Sequence, residues 1–344
     1  MADQGNERRQ PAFLVTIDAE GDNLWSRPRE VSTRNADYLP RFQSLCESYG
    51  LKVTYLVSYA MACADAFRRF AADALERGVG EVGAHPHAWN TPPLEPLTGD
   101  DARHQPYLIE YPPDVMAEKV ATLTHLLEDT FGAKMGSHRA GRWAFDAQYA
   151  RVLVEHGYRV DCSVTPHVSW RWMRGAPEGE GGSDYRGCPE EPYFVDPNDV
   201  RRPGDSPLLE VPVTVRPVGG RARRCVHATA ERAWPFRRWA LFRAGLNRLL
   251  PPVRWLRPDG HNRKQMLEIV EDALRTGRDY VQLMLHSSEL MPGGSPRFGS
   301  AEAVERLYDD LEALLEYVRD RFRGMTLTAY RERFAQRRLE GTHG

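Results

Sequence analysis

Short, continuously apolar segments alternate with amphipathic segments through most of this sequence, and that order constrains the fold more than any other feature. The apolar runs at 12–18, 53–57 and 280–286 are typical of strands that are buried on both faces. Between them, segments such as 115–131 and 301–322 carry apolar residues at helical spacing. This order predicts an α/β fold with a parallel sheet covered by helices.

The predicted strands end in polar residues that are able to bind a metal ion. Five such strand ends carry, in chain order, Asp18, His85, His138, Asp161 and His286. In a barrel of parallel strands, the carboxyl ends of the strands meet at one rim, where active sites are built. We therefore expect these strand ends to contribute to one site.

The length of 344 residues allows one large domain or two ordinary ones. Residues 167–260 differ from the rest, because they hold Gly- and Pro-rich clusters and an Arg/Trp-rich portion at 221–257 without a continuous core pattern. We expect a disordered tail at 1–10 and a single domain at 11–335, with an insertion at about 167–260 lying over the site. A last strand is predicted at 325–328.

Composition excludes several classes of protein. Lys and Arg total 46 and Asp and Glu total 48, a balance that argues against a general nucleic-acid-binding protein. No apolar run approaches the roughly 20 residues of a transmembrane helix, and the N-terminus lacks the apolar region of a secretory signal. The five cysteines are scattered without a CxxC pair, which argues against disulfides and a thiolate zinc site. We therefore expect a cytoplasmic protein.

Two motifs have the chemistry of a metal site. Asp18, Glu20 and Asp22 follow a buried strand at alternate positions, and such mutually repelling carboxylates need a cation or a proton unless they form a solvated acidic turn. His85 and His87 lie two residues apart, so both imidazoles point to the same side of an extended chain. Two imidazoles and a carboxylate are the three protein ligands of a typical catalytic zinc site.

Other polar residues near strand ends have two interpretations each. His286 ends an apolar run, which favours a functional residue over a core histidine bonded to a backbone carbonyl. His138, Arg139 and Arg142 could bind a carboxylate or an anionic substrate, or could be solvated on a loop. Asp161 could be a buried hydrogen-bond partner or a helix cap. The phosphate-binding loops GxGxxG and GxxxxGK[ST] and the GxSxG elbow of serine hydrolases are absent from the sequence.

Taken in order, these motifs resemble those of the polysaccharide deacetylase family, carbohydrate esterase family four, with its chitooligosaccharide-deacetylase homology domain. The resemblance extends over about 12–330 and rests on the segments 16–22, 85–87, 138–143, 161–166 and 285–290. Two further runs, 89–93 and 290–295, look like the subgroup found in surface-polysaccharide gene clusters of bacteria.

The resemblance implies a deformed (β/α) barrel of about seven parallel strands with the site on its C-terminal rim. It also implies a metal-dependent deacetylase that removes N-acetyl groups from an amino sugar or a surface polysaccharide precursor, with Zn²⁺ or another divalent metal. The family's first motif has two adjacent Asp residues, but Ala19 follows Asp18 here, so the carboxylate ligand would be Glu20 or Asp22. The family's paired histidines are four residues apart, so His87 would replace the usual second ligand.

The same resemblance implies a role for each site residue. Asp18 would be the general base with Arg139 as its ionic neighbour, and His286 would be the general acid, oriented by Asp161. His85 and His87 would complete the metal site. Four tryptophans are candidate sugar-stacking surfaces: Trp89, Trp143, Trp170 and Trp172.

Two other functions are compatible with these residues. The chain could be a barrel that binds a glycan or a partner without catalysis, or an amidase acting on a small non-sugar C–N substrate. Metal retention together with acetate release from N-acetylated sugars would distinguish the deacetylase from both alternatives.

Overall fold

The computed structural model describes residues 10–218 and 253–341. The strands are β1 (Ala12–Ala19), β2 (Val53–Val57), β3 (Gly80–Ala84), β4 (Ser137–His138), β5 (Val160–Asp161), β6 (Tyr193–Asp196), β7 (Asp199–Pro203), β8 (Leu209–Glu210), β9 (Val215–Pro217), β10 (Val253–Trp255), β11 (Tyr280–His286) and β12 (Arg323–Met325). The helices are α1 (Leu39–Ser48), α2 (Tyr59–Ala62), α3 (Asp65–Glu76), α4 (Asp101–His104), α5 (Pro113–Phe131), α6 (Ala147–Glu155), α7 (Arg263–Arg275), α8 (Ala301–Val318) and α9 (Leu327–Gly341).

One curled, mostly parallel sheet organises the described residues into a half-barrel. Its strand order is β11-β1-β2-β3-β4-β5-β8-β6-β7, and β12 pairs with the first part of β1. The strands from β11 to β8 in this order are parallel, whereas β6 and β7 form an antiparallel edge. The expected α/β fold, a deformed barrel of parallel strands, is therefore confirmed.

The segment after β8 connects the two ends of the parallel array. The Gln282 N–H of β11 donates to Oγ1 of Thr214, at 2.8 Å. Leu256 then bridges the same two segments, because its N–H donates to the Thr214 carbonyl and its carbonyl accepts the N–H of Met284. These bonds take the place of a continuous strand ladder between β8 and β11.

The two faces of β1 have different neighbours because side chains alternate along a strand. Phe13, Val15 and Ile17 pack in the large core cluster shared with the helices, including the amphipathic α8. Ala12 and Leu14 belong to a separate cluster inside the curled sheet. By the same alternation Asp18 belongs to the inner face.

Strand register brings the predicted strand ends together at one rim. Asp18 at the end of β1 is the Cα partner of His286 at the end of β11. On the other side, the last residue of β3, Ala84, pairs with His138 of β4, which pairs with Asp161 of β5. The common rim is therefore a consequence of parallel pairing between strands that end at the same level.

The region 167–260 contributes to the main sheet as well as to loops. Strand β8 lies within it and pairs in parallel with β5, and β6 pairs with β8. Residues 219–252, which include most of the Arg/Trp-rich portion, lie outside the described residues, as do residues 1–9 of the expected tail. None of the helices in the described ranges combines the length and apolarity needed to cross a membrane.

The predicted last strand exists, but its predicted bounds, 325–328, are wrong. Strand β12 ends at Met325, and α9 begins at Leu327. The hydroxyl of Thr326 accepts the N–H of Ala329, at 3.4 Å, so this threonine caps a helix. Threonine is common both in strands and at helix N-termini, and the local sequence does not distinguish the two uses.

Candidate active site

Three buried residues at the rim form a group with the donor atoms of a metal site. One ligand atom from each of Glu20, His85 and His87 lies within 4.8 Å of the other two. Nε2 of His87 is 2.7 Å from Oε2 of Glu20, and Nε2 of His85 is 3.5 Å from the same oxygen. Two imidazoles therefore converge on one carboxylate.

The turn after β3 positions both imidazoles. His85 directly follows this strand, and its N–H donates to the Val57 carbonyl of β2. Gly141 of the next rim loop packs against the turn: a Cβ there would lie 2.5 Å from the Pro86 carbonyl oxygen and 2.8 Å from Nδ1 of His87. Only glycine leaves room for this approach, so Gly141 is part of the framework that holds His87.

The hydrogen bond that orients His85 fits a metal ligand, and the donor atoms of the group fit a metal site. Nδ1 of His85 is 2.9 Å from the Arg139 carbonyl oxygen, which can only accept, so Nδ1 carries a proton and Nε2 is the nitrogen through which the neutral ring would bind a metal ion. Nδ1 of His87 is buried and has no hydrogen-bond partner. Two imidazoles with one carboxylate are a known donor set for catalytic zinc. The group could therefore bind a divalent metal ion.

Asp18 lies beside this group, in contact with a buried arginine. Nη1 of Arg139, a fully buried side chain, is 2.5 Å from Oδ1 of Asp18. The other oxygen, Oδ2, is 3.9 Å from Nε2 of His85 and 3.7 Å from Nε2 of His286. Asp18 thus has one oxygen bound to a guanidinium and one directed toward the histidines.

Opposing effects set the protonation of the two carboxyl groups. Burial raises the pKa of Asp18, but the charges of Arg139, His85 and His286 outweigh burial and hold this pKa below its ordinary value. Burial also raises the pKa of Glu20, but hydrogen bonds from His85 and His87 hold it well below its ordinary value. Both groups are therefore carboxylates at neutral pH.

The same contacts and burial shift the pKa values of the two histidines in opposite directions. Burial lowers the pKa of His85, but Asp18 and Glu20 together raise it above its ordinary value. For His87 burial dominates, so its pKa lies below the ordinary value despite the hydrogen bond to Glu20. His87 is accordingly the imidazole more easily kept neutral, which is the form that binds a metal.

His286 also faces these carboxylates, and its ring is held by Arg257 and Glu289. Nη2 of Arg257 lies 2.8 Å from Nδ1 of His286 and 2.8 Å from Oε1 of Glu289. Because a guanidinium only donates, Nδ1 accepts, and Nε2 carries the proton that faces Asp18 and Glu20 at 3.7 Å. Burial raises the pKa of Glu289, but Arg257 and His286 bring it down to about 2.

The expectation that Asp161 orients His286 is wrong. Oδ1 of Asp161 is 2.6 Å from Nδ1 of His138, and Oδ2 accepts the N–H of Ser163 at 2.7 Å. Strands β4, β3, β2 and β1 lie between β5 and β11 in the sheet, so Asp161 is far along the rim from His286. His138 is itself fully buried and bonded to Tyr149, which contradicts its suggested role in binding an anionic substrate.

Asp22 is separated from the histidines by the turn at Gly21. Its Oδ2 is 3.3 Å from both Oγ of Ser32 and Nε of Arg34. A Cβ at Gly21 would lie 2.3 Å from Cγ1 of Val31, so the chain bends where no side chain fits. Of the two candidate carboxylate ligands, the structure brings Glu20 to the imidazoles and holds Asp22 elsewhere.

A cleft of about 360 Å³ opens onto these residues and is lined by four tryptophans: Trp25, Trp89, Trp143 and Trp170. Trp143 and Trp170 stack with an interplanar angle of 11°. Trp172 lies in an adjacent cavity with 61% of its surface exposed. The cleft therefore offers the flat apolar surfaces that sugar rings use.

Sequence reasoning missed Trp25, Arg257 and Glu289. Trp25 contacts His286 with ring centroids 5.4 Å apart, and its Nε1 donates to Ser288. Only Glu289 had a local signal, because it lies three residues after His286 and its carboxylate accepts the backbone N–H of His286. Nothing in the sequence around Trp25 or Arg257 indicates a site.

Comparison with known proteins identifies similar folds at low sequence identity. A proposed polysaccharide deacetylase from Mycobacterium smegmatis matches with a TM-score of 0.53 and 15% identity, over 96% of this chain and 92% of that one. A proposed glycoside hydrolase/deacetylase from Parabacteroides distasonis matches with a TM-score of 0.61 and 10% identity, over 95% and 72%.

A branching enzyme of glycoside hydrolase family 57 from Thermococcus kodakaraensis also matches, with a TM-score of 0.50 and 10% identity over 94% of this chain and 71% of that one. No protein-family model matches this sequence, and the search of curated proteins found no significant match. The chain therefore shares its fold with a proposed polysaccharide deacetylase, a proposed glycoside hydrolase/deacetylase and a family 57 branching enzyme.

Proposed function

We propose that this protein is a metal-dependent deacetylase that hydrolyses the N-acetyl group of an amino sugar or of a surface polysaccharide precursor. One observation carries the proposal. The candidate metal ligands Glu20, His85 and His87 lie in one cleft with an ionised aspartate and a histidine whose Nε2 faces that aspartate. The fold shared with deacetylases supports it. A cytoplasmic location, expected from the cysteine pattern, is part of the same proposal.

A divalent ion such as zinc, held by Glu20, His85 and His87, would polarise the acetamide carbonyl and increase the acidity of water. The carboxylate of Glu20 would no longer need the histidines as hydrogen-bond donors, because its charge would be balanced by the ion. Nδ1 of His85 already donates to the Arg139 carbonyl, which fixes the ring orientation that a ligand needs.

Asp18 is suited to accept the proton of the attacking water. Arg139 binds Oδ1 and keeps the group ionised, while Oδ2 stays directed toward the histidines and the cleft. The same arginine also bonds the hydroxyl of Thr16, at 2.9 Å, so it cannot turn away from Asp18 without losing a second buried bond. A fixed, ionised carboxylate at this place is what a general base requires.

His286 is suited to protonate the leaving amine. When the C–N bond breaks, the nitrogen takes a proton from Nε2, and the acetyl carbon leaves as acetate with the oxygen of the attacking water. A neutral imidazole is too weak an acid for this step, so His286 would need a second proton at Nδ1; Arg257 would then give up its bond to Nδ1, and Oε2 of Glu289, 3.5 Å away, would accept from Nδ1. The proton that Asp18 takes from water can return to Nε2 of His286, 3.7 Å from Oδ2 of Asp18. Glu289 and Arg257 are thus positioning residues for His286.

The proposal is tested by metal analysis of the purified protein and acetate release from a panel of N-acetylated sugars, with and without a chelator. We expect about one divalent ion per chain, acetate release from at least one sugar, and loss of activity on chelation that is restored by zinc. Bound metal without hydrolysis of any acylated sugar would favour a glycan-binding barrel. Hydrolysis of small non-sugar amides alone would favour the amidase.

A matched pair of variants locates the carboxylate ligand. Glu20→Gln should lower zinc affinity, because it removes the charged ligand atom of the group. Asp22→Asn should leave zinc affinity near the wild-type value, because Asp22 is bound to Ser32 and Arg34. The reverse result would overturn the assignment of Glu20 as a ligand.

A further inference from the structure

A second cavity, of about 450 Å³, adjoins the candidate active site and is rich in arginine. Arg27, Arg142 and Arg174 line it together with His104 and Trp172. Arg27 and Arg142 also line the cleft of the candidate active site, so the two cavities share a wall. A ligand in the cleft can therefore extend into the second cavity, which we name the arginine cavity.

The three guanidinium groups of the arginine cavity are not neutralised by the protein. None of the ion pairs within residues 10–218 and 253–341 involves Arg27, Arg142 or Arg174, whereas the nearby Arg29 and Arg34 pair with Asp100 and Asp22. They donate instead to backbone carbonyls: Arg27 to Arg103 at 2.9 Å, Arg142 to Arg174 at 3.1 Å, and Arg174 to Pro177 at 2.9 Å. These bonds restrain the side chains and do not neutralise their positive charge.

The charge of Glu110 acts on Arg142, but its oxygens are bound to other groups. They accept the N–H groups of Tyr107 and Ala176, which are part of the loop framework below the cavity. The Arg142 guanidinium lies over the Tyr107 ring at 4.1 Å. This stacking fixes the plane of the guanidinium. Nη1 and Nη2 each donate one N–H, to the carbonyls of Gln105 and Arg174, so an oxyanion would meet the remaining N–H groups of Arg142.

Unfavourable backbone conformations concentrate at the same place. Among the described residues, five non-glycine residues have a positive φ, and four of them line the cleft: Arg27 at 53°, Gln105 at 50°, Arg142 at 56° and Trp143 at 65°. The fifth is His167. A left-handed conformation costs a non-glycine residue roughly 1–2 kcal/mol, and such residues cluster at ligand sites. Two of the four are arginines of the arginine cavity.

We propose that Arg27, Arg142 and Arg174 bind the negatively charged group of an amino sugar whose acetamido group lies at the candidate metal ligands. A guanidinium matches a carboxylate or a phosphate group through two parallel hydrogen bonds, so the substrate class is an acidic or phosphorylated N-acetyl sugar. The exposed ring of Trp172 offers a surface for the same ligand. The inference rests on the proposed function, which supplies the acetamido end.

The test compares the affinities of three probes for the metal-loaded protein, measured by quenching of tryptophan fluorescence. The probes are N-acetylglucosamine, its 6-phosphate, and 2-acetamido-2-deoxyglucuronic acid. We expect at least one anionic sugar to bind about tenfold or more tightly than the neutral one, with a preference that falls as salt is added. The phosphate and carboxylate arms show which anion the arginine cavity prefers.

Variants separate the arginine cavity from binding at the metal. Arg142→Gln and Arg174→Gln should each reduce the preference for the anionic sugar several-fold, whereas Arg69→Gln, which removes the same charge from an exposed position of α3, should leave it unchanged. Arg174 is exposed, so its variant tests the idea even if Arg142→Gln does not fold. Equal affinity for neutral and anionic sugars, or a preference that both variants retain, would overturn the proposal.

The outcome is independent of turnover. An arginine-dependent preference without acetate release from any sugar would leave the anion site intact and refute the deacetylase. Acetate release with no preference for charge would refute the anion site and leave the deacetylase intact.

Discussion

Two buried histidine–carboxylate clusters lie at the rim of the same sheet, and they differ in how completely their polar atoms are bonded. One of them, which we call the interior cluster, consists of His138, Asp161 and Tyr149. Its His138 has a partner on each ring nitrogen: Asp161 at 2.6 Å and Tyr149 at 2.8 Å. In the rim cluster of Glu20, His85 and His87, both Nε2 atoms converge on one carboxylate, and Nδ1 of His87 has no partner.

The difference follows from what surrounds each cluster. The rings of Tyr149 and Tyr158 pack against His138 at 5.0 and 5.8 Å and close it off from solvent. The rim cluster instead borders the cleft. Buried polar groups are normally bonded within the protein, so of the two clusters the one beside the cleft, whose imidazoles share a single carboxylate, is the one suited to bind a ligand. A histidine at a strand end is therefore not by itself evidence of function.

The largest expected effect is the loss of metal and activity when the rim cluster is broken. His85→Ala should lower zinc affinity at least about a hundredfold and abolish acetate release, because it removes a ligand atom. Asp18→Asn should abolish acetate release and keep the zinc, because a base contributes to the rate and a ligand to affinity. Zinc content by elemental analysis beside an acetate assay checks both variants. Loss of zinc in Asp18→Asn would reassign that carboxylate as a ligand.

His286 sharpens the comparison, because it adds a proton donor that the interior cluster lacks. His286→Ala should reduce turnover of an N-acetyl sugar by ~10²–10⁴-fold, the usual contribution of acid–base catalysis. The rate of hydrolysis of an activated acetate ester by the same variant should fall much less, since the leaving group of the ester departs without a proton. Steady-state rates on both substrates, with zinc content as control, provide the measurement. Equal losses on amide and ester would remove His286 from the acid role.

The interior cluster should respond in stability and not in metal binding. His138→Ala leaves the buried Asp161 carboxylate without the imidazole hydrogen bond, and losing a hydrogen bond to a buried charged group costs about 1–3 kcal/mol. Urea unfolding should show this loss, while the folded variant still binds zinc. His125→Ala, at an exposed position of α5, should change stability little. A large loss of zinc in His138→Ala would erase the distinction between the two clusters.

A third cluster, centred on Glu190, is only partly buried, and we expect its variant to have the smallest effect of these variants. Glu190 contacts His167 at 2.8 Å and Arg216 and Arg278 at 2.5 Å each. The hydrogen bond with His167 and the two arginine charges outweigh burial and lower the pKa of Glu190 from 4.5 to about 2. The stability from this ionised group is therefore present above pH 4.5 and is lost as the pH falls toward 2.

Unfolding free energies measured from pH 6 down to pH 2 test this window. Glu190→Gln should be less stable than wild type at pH 6, and the difference should shrink as the pH falls. Glu76→Gln, at an exposed position of α3, serves as the control and should show no such trend. A constant difference between Glu190→Gln and wild type would mean that Glu190 contributes through packing and not through its charge.

Local patterns in the sequence were sufficient for the parts of the site that depend on a single segment. The continuous apolar run at 12–18 predicts the buried strand β1, and strand alternation then sets Asp18 on its inner face. The spacing of His85 and His87 predicts two imidazoles on one side of the chain, and both meet Glu20. Such features follow from backbone geometry within a few residues.

Tertiary structure alone decided which partners meet across the fold. Glu20, and not Asp22, reaches the imidazoles because the chain bends at Gly21. His286 lies beside Asp18 because β11 pairs with β1, and β1 to β4 separate it from β5. Arg257 and Glu289 hold His286 there. Hydrogen bonds such as the one between Trp25 and Ser288 join residues 263 positions apart. Contacts at that separation depend on strand order and loop packing, and a single sequence does not encode either one locally.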